Sequence, residues 1–309
     1  MDLLLVLVGL AGLWAGTELA LRHTLDLAKQ HGFSHGFLGL TLLAIGTDFP
    51  ELVVAVQGGL AQRAGVDASG VVVGNAVGSV ITQGSLVLGV AGLFGRLRLG
   101  KRLILRDGAV LLLSVLALVL LGLDGTLSAR EGGMLCVAYA IYSVMLWQGE
   151  RSREHPEPDP SFRTGRTLLA IAGGLLLVLL SADLVVEHAV ALAAARGWDS
   201  TIVGILLIGA GTSLPELTLS LGAAAKGHGG LSVGNIIGSN IFDLLLPMGA
   251  SALLHPLVIG RGTLLIDLPF VALVSVVAFV AFRKGLQRRE AVLLVALYAG
   301  FVIVRTTWT

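Results

Sequence analysis

Charge is scarce in this sequence. Asp, Glu, Lys and Arg fill 13% of 309 positions, where a soluble chain carries about 25%. Hydrophobic residues make up 55%, and the mean hydropathy is +0.89. A sizeable soluble domain is therefore excluded, and with it an ATP-driven pump, which needs one to hold nucleotide. Apolar stretches of spanning length, about 20 residues, follow one another along the chain. They are continuous rather than alternating, which excludes a β-barrel. A single cysteine, Cys136, excludes an internal disulfide and reads as a small core residue. The start, Met1-Asp2 followed by an apolar run, lacks the basic region of a cleaved signal peptide and reads as a first span. No phosphate-binding Gly-rich loop, His-Glu-x-x-His pair or Gly-x-Ser-x-Gly nucleophile is present. The expectation is a non-enzyme without a cofactor. The net charge of +1 gives no basis for a nucleic-acid partner, and no obligate protein partner is expected.

What is present is an organisation of ten apolar spans, near residues 2–22, 34–61, 70–94, 105–122, 131–148, 167–195, 200–225, 231–254, 264–282 and 290–305. The one stretch resembling a soluble linker, 149–166, holds Pro156, Pro158 and Pro160 among charges. It divides the chain into 1–148 and 167–309, five spans each. The halves are related. Gly46-Thr47-Asp48-Phe49-Pro50-Glu51 returns as Gly211-Thr212-Ser213-Leu214-Pro215-Glu216, and Gly74-Asn75-Ala76-Val77-Gly78-Ser79 returns as Gly234-Asn235-Ile236-Ile237-Gly238-Ser239. The first offset also pairs Glu18 with Asp183 and His23 with His188; the second pairs Asp107 with Asp267. Five spans is an odd number, so the second unit enters the membrane from the other side. With Met1 outside, 16 of the 21 Lys and Arg fall inside, leaving Arg63, Arg130, Arg196, Arg261 and Arg305 outside. This bias puts the termini outside and the linker in the cytoplasm. The expected fold is an all-α integral membrane protein: ten transmembrane helices in two inverted five-helix repeats, with broken helices at an ion site.

The duplicated motif carries the chemistry. Asp48 and Ser213 have the form of helix N-caps, with Pro50 and Pro215 in the first turn and Glu51 and Glu216 closing a capping box. A helix start inside an apolar span also means that the span is broken there. Proline removes a backbone donor, so carbonyls near Ala44 to Gly46 and Gly209 to Gly211 lose partners. Free carbonyls beside carboxylates and hydroxyls form an all-oxygen environment suited to hard cations, and irregular backbone at membrane depth is tolerated where it lines a cavity. A cap alone would not require a charged group at mid-membrane. Ser79 and Gln83 share a helix face, as do Ser239 and Asp243. Asn75 and Asn235 add amide oxygens or interhelical hydrogen bonds. Gly74, Gly78, Gly234 and Gly238 read as close-packing positions. Glu18, Asp183, Glu187 and His188 read as interfacial anchors or partners of nearby arginines, and Asp107 and Asp267 as helix-start acids.

On these residues the chain resembles the cation/Ca²⁺ exchanger superfamily, which includes the Na⁺/Ca²⁺ exchangers. The resemblance implies that Glu51 and Glu216 are central carboxylates bridging Ca²⁺ and Na⁺. It implies that Thr47, Thr212 and Ser213 supply Na⁺ ligands, that Ser79 and Ser239 supply hydroxyls, and that Asp243 is a further acidic ligand or proton site. It also implies antiport by movement of spans 1 and 6 across a core of spans 2, 3, 7 and 8. The expected function is exchange of Ca²⁺ for Na⁺ across a prokaryotic inner or plasma membrane. H⁺-coupled or K⁺-involving exchange is the alternative. The first copy departs from the family pattern. Asp48 stands for serine, Val80 for the asparagine kept at Asn240, and Gln83 for a usual asparagine. Asp48 adds a fourth carboxylate to Glu51, Glu216 and Asp243, or else it only caps its half-helix. Four such groups repel in a low-dielectric site unless one is protonated or a cation is bound.

Overall fold

The computed structural model describes residues 1–30, 46–95, 97, 101–149, 164–225, 227 and 229–307. The first half of the expected second span (34–45), the Ala44 carbonyl, most of the proline-rich linker and several of the topology-setting Lys and Arg lie outside them.

The described chain is almost entirely helical. Helix α1 is Asp2–Gln30, α2 Phe49–Arg63 and α3 Ser69–Ile81, which runs through a π-helical turn, Thr82–Val87, into α4, Leu88–Phe94. Then come α5, Lys101–Leu121, α6, Ala129–Gly149, and the long α7, Thr164–Arg196. The next span starts as α8, Ser200–Val203, passes a π-helical turn, Gly204–Gly209, and α9, Ala210–Thr212, and resumes as α10, Leu214–Ala225. Helix α11 is Gly229–Leu254. A π-helical turn, Thr263–Asp267, leads into α12, Leu268–Lys284, and α13 is Arg288–Thr307.

Six of these helical stretches are long and apolar enough to cross a membrane. A seventh crossing is the pair Ser200–Thr212 and Leu214–Ala225, bent by 44°. The break falls at Ser213, ahead of Pro215, where the missing proline N–H ends the hydrogen-bond ladder. In the first copy the corresponding turn residue is Asp48, between helical Gly46-Thr47 and Phe49.

The spans differ in what surrounds them. In Ser69–Phe94 and Ser232–Leu254, 78% of the apolar window is buried inside the protein, against 22% for Arg288–Thr307. The former are core helices and the latter faces lipid. Helix α2 packs on α11, and α3 packs on the Gly204–Gly209 turn, so each core helix lies against the broken span of the other half. Helix α1 lies along α7.

Two small β contacts fix the direction of the halves. Strand β1, Thr126–Leu127, pairs antiparallel with β2, Leu257–Val258, and an isolated bridge joins Leu97 to Leu286. Leu97 follows α4, and β1 follows α5, one span of 21 residues later. A helix of that length rises about 30 Å, so the two contacts sit at opposite faces. Because β2 follows α11, the spans 69–94 and 229–254 end at opposite faces. Related spans running in opposite directions are inverted repeats. The contacts are also images of each other, since moving Leu97 and Leu127 along by 160 residues gives Leu257 and Gln287, next to Leu286.

The helix-start reading of Asp107 and Asp267 does not hold. Asp107 lies in the second turn of α5, paired with Arg106 at 2.7 Å. Asp267 makes no side-chain cap. It is fully buried and paired with Arg305 Nε at 2.9 Å. An acid this deep is held by an arginine rather than by the partial charge of a helix end. Glu18, Asp183 and Glu187 point outward from α1 and α7, whereas His188 is half-buried and pairs with Asp2 at 2.9 Å.

Candidate functional site

Both broken spans and both core helices deliver polar groups to one buried region. Asp48 and Glu51 come from the break and first turn of α2. Asn75 and Ser79 come from α3, and Gln83 from the π-helical turn after it. Thr212 and Ser213 end the first arm of the second broken span, and Glu216 begins the next. Ser239 and Asp243 share one face of α11. All of these, with Thr47 and Asn235, are buried.

The close approach of α3 to the second broken span makes this possible. A Cβ on Gly74 would lie 2.4 Å from the Thr201 carbonyl oxygen, and one on Gly78 would lie 2.6 Å from Ile205 Cα. Gly204 and Gly209 answer from the other side, 2.8 Å from Gly74 Cα and 2.7 Å from Ser79 N in the same construction. Small residues thus bring two backbones into contact. For Gly238 no such contact exists among the described residues.

The hydrogen bonds link the two copies. Ser79 Oγ lies 3.4 Å from Glu51 Oε1, to which it donates, and 3.3 Å from both the Gly209 carbonyl oxygen and Thr212 Oγ1. Thr212 Oγ1 lies 3.3 Å from Asn75 Oδ1, and Asn75 Nδ2 donates to the Glu51 carbonyl at 3.3 Å. Gln83 Nε2 donates to Asp243 Oδ2 at 3.1 Å. Across the pseudo-twofold relation, Thr212 comes within reach of Glu51 and Thr47 within reach of Glu216.

The capping boxes do not form. Ser213 Oγ donates to the Gly209 carbonyl at 2.7 Å instead of receiving a backbone N–H, and the Ser213 N–H goes to the same carbonyl at 3.3 Å rather than to Glu216. Asp48 makes no cap bond either. Both of its oxygens are buried, and it lies within electrostatic reach of Glu51, Glu216 and Asp243, with the Ser239 hydroxyl beside it. The cap-only reading of Asp48 therefore fails. Glu51 Oε2, Asp243 Oδ1 and Gln83 Oε1 lack partners among the described residues, as does Asn235 Nδ2.

Among the described residues, Arg305 is the buried cationic side chain, and it is tied to Asp267 and Asp199. Among the described residues the four carboxylates thus have no buried cationic partner. No three acidic, imidazole or thiol groups converge on one point among the described residues; the oxygens gathered there include hydroxyl, amide and carbonyl groups as well as carboxylates. Sequence reasoning missed the three π-helical turns among the described residues and the Asp267–Arg305 pair. An arginine inside an apolar span was the available signal for the pair.

A buried oxygen cluster between inverted repeats defines a membrane transport protein rather than a structural helical bundle. The model of the family described as "Sodium/calcium exchanger protein" matches residues 1–148 and 166–307. The chain belongs to that family. It is 30% identical to the sodium/calcium exchanger MaX1 of Methanosarcina acetivorans, over 98% of each chain. It is 29% identical to the inner membrane protein YrbG of Escherichia coli, over 90% of this chain and 87% of that one. Among solved structures, the sodium-calcium exchanger NCX_Mj soaked with 2.5 mM Na⁺ and 10 mM Sr²⁺ superposes with a TM-score of 0.69 at 29% identity, over 99% of both chains. The same exchanger soaked with 2.5 mM Na⁺ and 0.1 mM Ca²⁺ gives 0.68 at 27% identity, over 100% of this chain and 98% of that one.

Proposed function

We propose that this protein is a secondary antiporter that exchanges Ca²⁺ for Na⁺ by alternating access. The observation that carries the reading is the cluster of buried carboxylates of Asp48, Glu51, Glu216 and Asp243, which no cationic side chain among the described residues neutralises. Unpaired acids at such depth are sustained by bound cations, and hard oxygen ligands select Na⁺ and Ca²⁺ over soft metals. In this reading Glu51 and Glu216 bridge the transported ions, Thr47, Thr212, Ser213, Ser79 and Ser239 add hydroxyl or carbonyl oxygens, and Asn75, Asn235 and Gln83 orient them. Spans 1 and 6, α1 and α7, form the moving unit. The repeats are 1–148 and 167–309, with the 149–166 linker in the cytoplasm of a prokaryotic cell and both termini outside.

A second reading, H⁺- or K⁺-involving exchange, is favoured by one observation. Asp48 replaces the serine expected there and brings a fourth carboxylate into the cluster. The test is ⁴⁵Ca²⁺ uptake by proteoliposomes, with Na⁺, K⁺ and H⁺ gradients imposed one at a time. Uptake driven by an outward Na⁺ gradient supports the first reading, Na⁺-free uptake driven by a pH gradient supports the second, and no uptake under any gradient ends both.

A further inference from the structure

We propose that Arg305 is a positioning residue, which holds the first arm of the broken span 200–212 in place from the end of α13 and so sets the Gly209 carbonyl and Thr212 hydroxyl of the site. The inference rests on the antiport reading of that site.

Three spans meet at this guanidinium. Its Nε donates to Asp267 Oδ1 at 2.9 Å and its Nη2 to Asp199 Oδ2 at 3.4 Å. Asp267 closes the π-helical turn before α12, and Asp199 stands immediately before α8. Arg305 and Asp267 side chains are 3% and 0% exposed, whereas Asp199 is 48% exposed. The buried pair is thus the fixed end and Asp199 the attached one. The seat is fitted: a Cβ on Gly262 would lie 2.9 Å from one guanidinium nitrogen.

Asp199 also starts the arm. Its Oδ1 accepts the Thr201 N–H at 2.8 Å, an N-cap, while its other oxygen accepts from Arg305. From Asp199 the arm runs through four α-helical residues, 200–203, and the six of the π-helical turn, 204–209. The far end holds the Gly209 carbonyl that Ser79, Thr212 and Ser213 all approach. Between the two ends, Gly74 and Gly78 press the arm against α3. A short arm gripped at its start and packed closely along its length transmits a shift there to the carbonyl at its end. The second arm, with Glu216, lies beyond the 44° break and is not gripped by this group. An arginine suits the role because its planar fork donates to two separate acids at once, which one ammonium cannot do in the same geometry.

The experiment compares the full-length protein with Asp199→Asn, Arg305→Lys and the double variant in liposomes of known orientation. Asn caps a helix as well as Asp, so Asp199→Asn removes the tie and keeps the helix start. Each single variant should raise the KM for ⁴⁵Ca²⁺ about two- to fivefold, at whichever face it is measured, because both faces open to the same site; that is the range of a half-exposed ion pair. The maximal rate per folded protein should stay unchanged. The double variant should be no worse than the worse single one, because both remove the same link. A merely structural role would lower the amount of folded protein and leave KM alone. Unchanged KM in Asp199→Asn, or additive effects in the double variant, overturn the proposal. If Arg305→Lys does not fold, Asp199→Asn alone decides. Wild-type protein without Ca²⁺ exchange would overturn the antiport reading and this inference with it, whereas normal exchange with an unshifted Asp199→Asn overturns this inference alone.

Discussion

Gly78→Ala tests the contact on which the site is built. The new Cβ would stand 2.6 Å from Ile205 Cα and 2.7 Å from Ile205 O, where carbon contacts are comfortable at about 3.5–4.0 Å. The obstructing atoms are backbone, so no rotamer change relieves the overlap. Helix α3 and the Gly204–Gly209 turn must separate by about 1 Å, and overpacking of this kind costs about 1–3 kcal/mol. The same movement acts on the neighbouring residue. Ser79 Oγ now lies 3.3 Å from the Gly209 oxygen and from Thr212 Oγ1. Another ~1 Å takes both beyond hydrogen-bond range. The expected outcome is a stability loss of about 1–3 kcal/mol in denaturant titration of purified protein, together with a fall of about tenfold or more in ⁴⁵Ca²⁺ flux. That fall is the scale on which small misplacements of binding groups act. Gly173→Ala is the control. Gly173 is exposed inside α7 with no atom within 4 Å of its would-be Cβ, so alanine there should stabilise by up to about 1 kcal/mol and leave flux unchanged. Wild-type stability and flux in Gly78→Ala would refute the close-packing argument.

Replacing Glu51 or Glu216 by Gln should abolish Ca²⁺ exchange and also the Ca²⁺-induced gain in thermal stability. That gain is about 2.7 kcal/mol for a site at a hundred times its Kd; near-normal flux in either variant would contradict the roles assigned to them. The ion-free Glu216→Gln protein should be no less stable than wild type, because a buried unpaired charge is removed, which a melting curve in chelator checks. Asp48→Ser should alter the Na⁺, K⁺ or pH profile of transport rather than stop it, and identical profiles would leave Asp48 without a part in ion choice. Asp267→Asn leaves Arg305 buried with only the exposed Asp199 and should cost about 3–5 kcal/mol in denaturant titration.

The sequence and the structure agree where a local signal has a local consequence. Pro215 and Pro50 mark breaks because a missing donor acts within one turn, and Ser213 is where the span bends. The inverted relation was legible from spacing and an odd span count. Its physical anchors, Leu97 with Leu286 and β1 with β2, were not, since pairings across more than a hundred residues leave no periodicity to read. Capping boxes were expected at Ser213 and Asp48 because the pattern fits. In the fold, the Ser213 hydroxyl finds the Gly209 carbonyl one turn back, and Asp48 turns to the other acids. Asp107 and Asp267 align between repeats, yet they hold different partners, Arg106 and Arg305. Alignment of the halves carries position but not partnership.

The two β contacts have a further consequence. Each repeat contributes one side of the contact at each face, so neither half owns a complete one. A half made alone would present a bare backbone edge at both membrane surfaces, and such edges recruit other chains. Two such halves of opposite orientation would complete each other. Split-chain complementation should therefore need both fragments in the same bilayer, inserted with opposite polarity.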